Sequence, residues 1–205
     1  HLWPEESLSL QLAALGGNPQ RLYRHMQIPG LDWVMAFGKN CNELPANAIK
    51  YPASIAHLYG RQRVSCESFA GSGWGDAFQD FLRVLHWEHI HGVNMQIPIS
   101  YKYSLRGEGR TLFYPPGLSY QQPWWEHARA WADYEARLCA VTSAGAHVAQ
   151  VILFYPEIDA WTHCLEYKLL DQRTDESNVL GDQLRTHGYD YDVLGDQALA
   201  ENIRW

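Results

Sequence analysis

The chain has 205 residues, which suits one medium-sized domain or one domain with part of another. Its composition, 46% hydrophobic and 19% charged, is typical of a globular protein with enough apolar residues for a core. The net charge of −7 argues against nucleic acid or an anionic membrane surface as a partner. No run approaches the roughly 20 apolar residues needed to span a bilayer.

Aromatic residues are abundant, with nine Trp and twelve Tyr. Aromatic loops are common where sugars bind, because a pyranose ring presents an apolar face that can lie on an aromatic ring. The four cysteines (Cys41, Cys66, Cys139 and Cys164) lack metal-binding spacing, and we predict free thiols. The chain begins at His1 with neither an initiator Met nor a signal segment, so we expect a processed product or an excised fragment.

The first two thirds of the chain alternate between predicted helices and strands. In chain order the pattern predicts a helix from Ser7 to Gly16, a strand at Leu31–Met35, a helix at Pro45–Tyr59, a strand at Arg63–Cys66, a helix from Asp76 as N-cap to about Gly92, and a strand at Met95–Ile99. The strand centres lie about 32 residues apart, the length of a βα unit. This alternation fits either a (β/α)8 barrel or a doubly wound sheet.

The segment Lys102–Pro123 interrupts this alternation, because it is rich in Gly, Pro and Tyr and carries few helix or strand signals. A loop of this length inside a domain is usually functional. A long helix follows from Trp124 to about Ser143 and ends at Gly145.

A second unit begins at His147. The pattern predicts a strand at Val148–Phe154, an exposed polar loop at Asp171–Ser177, a helix at Asn178–His187 and a strand at Tyr189–Leu194. The last strand runs into a turn typical of a Rossmann-like domain. We therefore divide the chain into residues 1–146 and 147–205.

Glu67 is the strongest catalytic candidate, because it follows a short apolar run and precedes a Gly/Ser/Trp loop and a helix. In parallel α/β proteins, ligands bind and catalytic residues lie at the carboxyl ends of the strands. The alternative is a structural glutamate paired with Arg63 or Arg106. The loop Gly71–Gly75 lacks the lysine of a phosphate-binding loop, so a nucleotide-dependent enzyme has no supporting motif.

Several segments together resemble the family 106 glycoside hydrolases, typified by α-L-rhamnosidases. They are His1–Glu6, Tyr23–Asp32, Ser54–Gly60, Arg63–Gly75 with Glu67, His91–Asn94 and Ser119–Trp125. Their order and spacing, over about 155 residues, carry the resemblance.

The resemblance implies a (β/α)8 catalytic barrel followed by a flavodoxin-like accessory domain, in proteins much longer than this chain. On this basis we expect residues 1–146 to be the C-terminal half of the barrel and residues 147–205 the start of the Rossmann-like domain. It implies inverting hydrolysis of α-L-rhamnosides by two glutamates, often with calcium near the sugar, and secretion or export to the periplasm. Glu67 matches the catalytic base, whereas the acid lies upstream in the missing half of the barrel, so this chain alone is expected to be inactive.

The other site candidates have structural alternatives. Glu5 and Glu6 are candidates for a second acid or metal ligands, or for an acidic pair at a helix start. Asp32 is a candidate to bind sugar hydroxyls or calcium, or to accept from backbone amides. His25 is a candidate sugar ligand, although the histidines are dispersed and lack zinc spacing, which favours structural or surface roles. The aromatic candidates for sugar contact lie in or beside the expected mouth loops: Trp74, Tyr101, Tyr103, Tyr120 and Trp124, with Trp125 beside them.

On this resemblance we expect a glycosidase whose oligo- or polysaccharide substrates are α-L-rhamnosides or related deoxysugar polysaccharides. The alternative is a non-catalytic carbohydrate-binding or scaffold module derived from such a barrel. A glutamate at the end of the fourth barrel strand would favour the enzyme, and an apolar residue there would favour the binder.

Overall fold

The structure, a computed structural model, describes residues 18–32, 46–104, 106–108, 117–162 and 167–202. The predictions for Glu5, Glu6 and the helix from Ser7 lie outside the described residues, as do those for Cys41 and Cys164.

Three parallel strands form the first sheet: β1 (Gly30–Asp32), β2 (Ser65–Ser68) and β3 (Met95–Pro98), in the order β1-β2-β3. Gly30 lies opposite Ser65, where a Cβ would come within 2.2 Å of the serine Oγ, so only glycine fits the close approach of these strands. All three strands match predicted strands, with shifts of a few residues at the ends.

Two further parallel strands form a second sheet: β4 (Val151–Tyr155) and β5 (Tyr191–Gly195). Pro156 directly follows β4, as expected of a residue that cannot continue a strand ladder. A short helix and a long helix lie between the two strands, so the segment is a parallel unit with a helical connection.

The described helices are α1 (Pro19–Tyr23), α2 (Ala46–Leu58), α3 (Phe78–Ile90), α4 (Ala128–Ala144, preceded by a 3-10 turn at Trp125–His127), α5 (Glu157–Thr162), α6 (Tyr167–Thr186) and α7 (Asp196–Asn202). The chain is therefore a mixed α/β protein with small parallel sheets.

Helix α2 lies between the two sheets and is apolar on both sides. Ile49 and Ala53 pack into a core with Leu31 of β1. On the other side, Tyr51 and Ile55 pack into a second core, where Leu153, Tyr155, Tyr191 and Val193 of the second sheet lie. Helix α2 therefore packs against both sheets through apolar residues on its two sides and joins them.

Two local predictions were wrong. Helix α3 has Ala77 rather than Asp76 as its N-cap. The backbone N–H of Ala77 donates a hydrogen bond at 3.0 Å to the carboxylate of Asp80, three residues later, as in one half of a capping box. The predicted loop Asp171–Ser177 is part of α6. That run contains no Gly or Pro, and its Gln, Arg and Glu residues are good helix formers, so polarity alone did not indicate a loop.

Cys66 and Cys139 are free thiols, as predicted. Within the described part of the chain, no helix has the length and apolar character needed to cross a bilayer.

Candidate active site at the carboxyl ends of the first sheet

The parallel arrangement of the first sheet brings the ends of its strands to one edge. Asp32 lies opposite Glu67 on the neighbouring strand, and Glu67 lies opposite Ile97. Because opposed residues of a parallel sheet project to the same face, the Asp32 and Glu67 side chains are neighbours at about the strand spacing of 4.8 Å. The structure therefore brings together the two acidic candidates that it describes on strands.

Glu67 is half-buried, whereas Asp32 is buried. Burial raises the pKa of the Glu67 carboxyl above its ordinary value, and repulsion from Asp32 raises it further. A carboxyl whose pKa moves towards neutral pH is a better proton acceptor than an ordinary glutamate. The electrostatics at this edge thus suit acid–base chemistry.

The backbone beyond Glu67 turns sharply. Phe69 has a φ of +73°, in the left-handed region that a bulky residue rarely adopts. Its ring is buried against Phe81 and Trp131, at centroid distances of 4.8 and 5.8 Å, and this packing stabilises the turn. Such strained positions are commonly found at functional sites.

A buried carboxyl on the opposite face of the sheet anchors the same strand end. Glu88 of α3 accepts a hydrogen bond from the hydroxyl of Ser68 at 2.9 Å and others from the Gln96 amide and the Cys66 thiol. Burial raises the pKa of Glu88 to about 7. Sequence reasoning missed Glu88, although it falls on the apolar stripe of α3, where an acidic residue signals a buried polar role.

Exposed aromatic residues lie in the loops that follow β2 and β3. Tyr101, Tyr103 and Tyr120 are largely exposed, and Trp74 and Trp125 are more than one-third exposed. The rings of Tyr101 and Trp125 are 6.3 Å apart. Exposed aromatic rings in the loops after these strands are suited to stacking on sugar rings.

Trp74 and the loop from residue 117 are in contact. A Cβ at Gly117 would lie 3.1 Å from Cη2 of the Trp74 indole, so glycine allows the backbone to lie against the ring. Lys102 is also close to Gly117, and partial burial lowers the pKa of the Lys102 amine. The loops after β2 and β3 therefore pack together. These two loops, with their exposed aromatic residues, are called the aromatic rim below.

Trp124 has a different environment from the other aromatic candidates. Its indole N–H donates to the backbone carbonyl of Asp76 at 3.2 Å, and its ring packs on Phe78 and Phe81 at 4.8 and 5.5 Å. It thus anchors the loop to the core around α3. A sugar contact from Trp124 stays a prediction, with packing as its observed role.

The loop before Trp124 holds buried polar groups that the sequence analysis did not single out. Among the described residues, the Ser119 hydroxyl, the Gln121 carbonyl oxygen and the Gln122 amide nitrogen have no hydrogen-bond partner. Ser119 and Gln122 are almost fully buried. Buried polar groups normally find partners, so these atoms are candidates for hydrogen bonds to a ligand. The Gln-Gln-Pro run inside a long loop was the available signal.

His25 is exposed in the turn that precedes β1, whereas Asp32 ends that strand. The structure therefore places His25 on the approach to the strand's amino end and does not bring it together with Glu67.

The described residues thus combine a parallel α/β fold with two carboxylates at the ends of neighbouring strands and exposed aromatic residues in the loops that follow. The family model of glycoside hydrolase family 106, described as alpha-L-rhamnosidase, matches residues 11–204, and the chain belongs to this family.

Two relatives define how much of such a protein the chain represents. A putative beta-glucuronidase of Formosa agariphila is 27% identical over 157 residues, which cover 74% of this chain and 12% of that protein. The structure of a rhamnosidase from Novosphingobium sp. PP1Y is similar in fold, with a TM-score of 0.59 and 24% identity over 89% of this chain and 17% of that one. The chain thus spans less than one fifth of the length of either relative.

Proposed function

We propose that this chain forms part of an inverting glycoside hydrolase that acts on α-L-rhamnosides or related deoxysugar polysaccharides, and that Glu67 is its catalytic base. The observation that carries the proposal is the half-buried Glu67 carboxyl at the end of a central parallel strand, beside Asp32 and followed by loops with exposed aromatic residues. Membership of the rhamnosidase family supports the substrate class.

In the proposed reaction, the Glu67 carboxylate takes a proton from a water molecule as that water attacks the anomeric carbon. The bond between this carbon and the leaving oxygen breaks at the same time, and a protonated carboxyl on the other side of the sugar gives its proton to that oxygen. An inverting pair stands roughly 6.5–9.5 Å apart to make room for the water. Asp32 is a strand neighbour of Glu67, at about 4.8 Å between strands, so the acid comes from elsewhere.

The proposed architecture is the C-terminal half of a (β/α)8 barrel in residues 1–146, followed by the start of a Rossmann-like domain. The sequential parallel order β1-β2-β3, with a helix between consecutive strands, supports the barrel. Met95 and Ile97 share the sheet face of Glu67 and are exposed, as expected of a barrel interior that further strands cover. Residues 1–205 alone are therefore expected to lack activity.

Calcium near the sugar fits the donors at this edge. Calcium prefers carboxylate oxygens, and the Asp32 carboxyl already raises the pKa of Glu67 by repulsion, which a cation beside Asp32 would relieve. Asp32 is the proposed ligand, and calcium bound there would orient sugar hydroxyls. Glu67 keeps the role of proton acceptor.

The stereochemistry of the product tests the mechanism. The intact protein is incubated with an aryl α-L-rhamnoside, and the first-formed anomer is recorded by NMR before mutarotation. We expect the β-anomer of rhamnose. The α-anomer would overturn inversion and would point to Asp32 and Glu67 as a closely spaced retaining pair, whereas sugar binding without turnover would indicate the non-catalytic module.

A further inference from the structure

A group of metal-ligating side chains lies away from the candidate active site. His57 comes from the last turn of α2, His147 from the segment before β4, and Asp192 from β5. His57 also lies near Gly92, which precedes β3. The group is therefore at the amino ends of the strands, whereas Glu67 is at a carboxyl end.

The three side chains are already close enough to share one ion. The Nδ1 of His57 is 2.9 Å from Oδ1 of Asp192, and the Nε2 of His147 is 3.8 Å from the same oxygen. One ligand atom from each residue lies within 4.8 Å of the others. Tetrahedral zinc with ligands at about 2.0–2.1 Å holds them roughly 3.3 Å apart, so side-chain movements that close the distances and tilt the two imidazole rings towards the ion would complete the site.

The two histidine rings are stacked, with centroids 3.8 Å apart and planes 11° from parallel. Two protonated imidazoles in this position would repel each other, whereas a metal ion binds both as neutral ligands. Asp190 lies beside the group, with Oδ2 3.4 Å from His147 Nε2, and the buried Lys50 forms an ion pair with it. Lys50 thus offsets the negative charge of Asp190. The carboxylate of Asp192 is then the group that offsets the positive charge of a bound metal ion.

We propose that His57, His147 and Asp192 bind a divalent metal ion of the zinc class, with water completing the coordination. Two imidazoles and one carboxylate suit zinc and its neighbours in the first transition row, and disfavour calcium, which takes oxygen ligands. The bound ion would fasten the segment before β4 and strand β5 to α2, the helix that packs on both sheets. The proposed role of the ion is therefore structural, as a link between α2 and the second sheet.

The test measures zinc in the intact protein that carries this chain. The protein is stripped with a chelator, loaded with zinc, dialysed and analysed for metal content, and its zinc affinity is measured with a competing indicator. We expect His147→Ala to lose roughly one zinc per chain and to weaken binding at this site at least ~10-fold. His187→Ala, an exposed histidine at the end of α6, is the matched control and should retain the wild-type content.

Asp192→Asn provides a second variant that keeps the size of the side chain, and it too should lose the zinc. A large excess of calcium should not displace zinc from the wild-type protein. Equal zinc content in wild type, His147→Ala and Asp192→Asn, or displacement by calcium, would overturn the proposal. Metal content is independent of glycoside turnover, so this outcome does not depend on the proposed activity.

Discussion

The hydroxyl of Ser68 donates a hydrogen bond to the buried carboxyl of Glu88 at 2.9 Å, one residue beyond Glu67. This bond ties the end of β2 to α3 on the face opposite the active-site edge. Glu67 therefore projects from a strand end that is held against α3 by this bond and by the ring of Phe69, which packs on Phe81. A general base must be held within hydrogen-bond reach of its water, and these contacts provide that rigidity.

Replacing Glu67 by Gln tests its role as base. Gln keeps the size of the side chain but cannot accept the proton, so kcat on an aryl α-L-rhamnoside should fall at least ~100-fold while the melting temperature stays unchanged. Glu176→Gln, at an exposed position in α6, is the control and should turn over normally. Near-normal turnover by Glu67→Gln would remove Glu67 from the mechanism.

The pH profile tests the coupling between Glu67 and Asp32. The base acts only when deprotonated, so kcat/KM should rise with pH through the pKa of Glu67. Burial is the larger cause of the raised pKa and repulsion from Asp32 the smaller. When both proteins are assayed after calcium has been removed with a chelator, Asp32→Asn lacks the repulsion, and the acidic limb of kcat/KM should move to lower pH, whatever the loss in rate. A limb that stays in place or moves to higher pH would contradict the coupling.

Much of the first sheet could be predicted from sequence, because strands and helices alternate at the period of a βα unit and each apolar stripe shows which side is buried. The strand end that carries Glu67 followed from the same pattern. The boundaries were less certain, since a backbone N–H at a helix start can donate to more than one nearby acceptor: the N–H of Ala77 donates to the Asp80 carboxylate, and Asp76 is not the N-cap.

Contacts between distant segments could not be predicted in the same way. His57, His147 and Asp192 come from three separate elements, so no spacing in the chain marks them as a group. Only the packing of α2 between the two sheets brings them together. Similarly, the polarity of Asp171–Ser177 predicted a loop, whereas these residues lie within α6. The extent of a helix depends on its tertiary contacts as well as on the polarity of its residues.

Stability should depend on pH through Glu88. Its pKa is raised from 4.5 to about 7 in the folded protein, so the folded state holds a proton that the unfolded state releases between these values. The free energy of unfolding should therefore fall as the pH rises from about 4.5 to about 7. Glu135 and Glu157, whose pKa values burial also raises to about 7, act in the same direction.

The contribution of Glu88 to this pH dependence of stability can be isolated by replacing Glu88 with Gln, which resembles the protonated carboxyl. The difference in melting temperature between pH 5 and pH 7, measured by calorimetry on the intact protein, should be smaller in Glu88→Gln than in wild type. Glu176→Gln should leave the difference unchanged, and an identical difference in Glu88→Gln would show that Glu88 does not titrate in this range.

The aromatic residues separate into rim and core, and paired alanine substitutions can distinguish them. Tyr103 is fully exposed and Trp74 partly exposed at the rim, so Tyr103→Ala and Trp74→Ala should lower kcat/KM by roughly 2–10-fold, which corresponds to a stacking contribution of about 0.5–1.5 kcal/mol. The melting temperature should change little in Tyr103→Ala.

Trp124→Ala removes a ring that packs on Phe78 and Phe81 and a hydrogen bond to the Asp76 carbonyl, so its main effect should be a lower melting temperature. Steady-state kinetics and calorimetry on the same preparations give both measurements. A large loss of stability in Tyr103→Ala with unchanged kcat/KM would place that ring in the core and contradict the assignment of the rim.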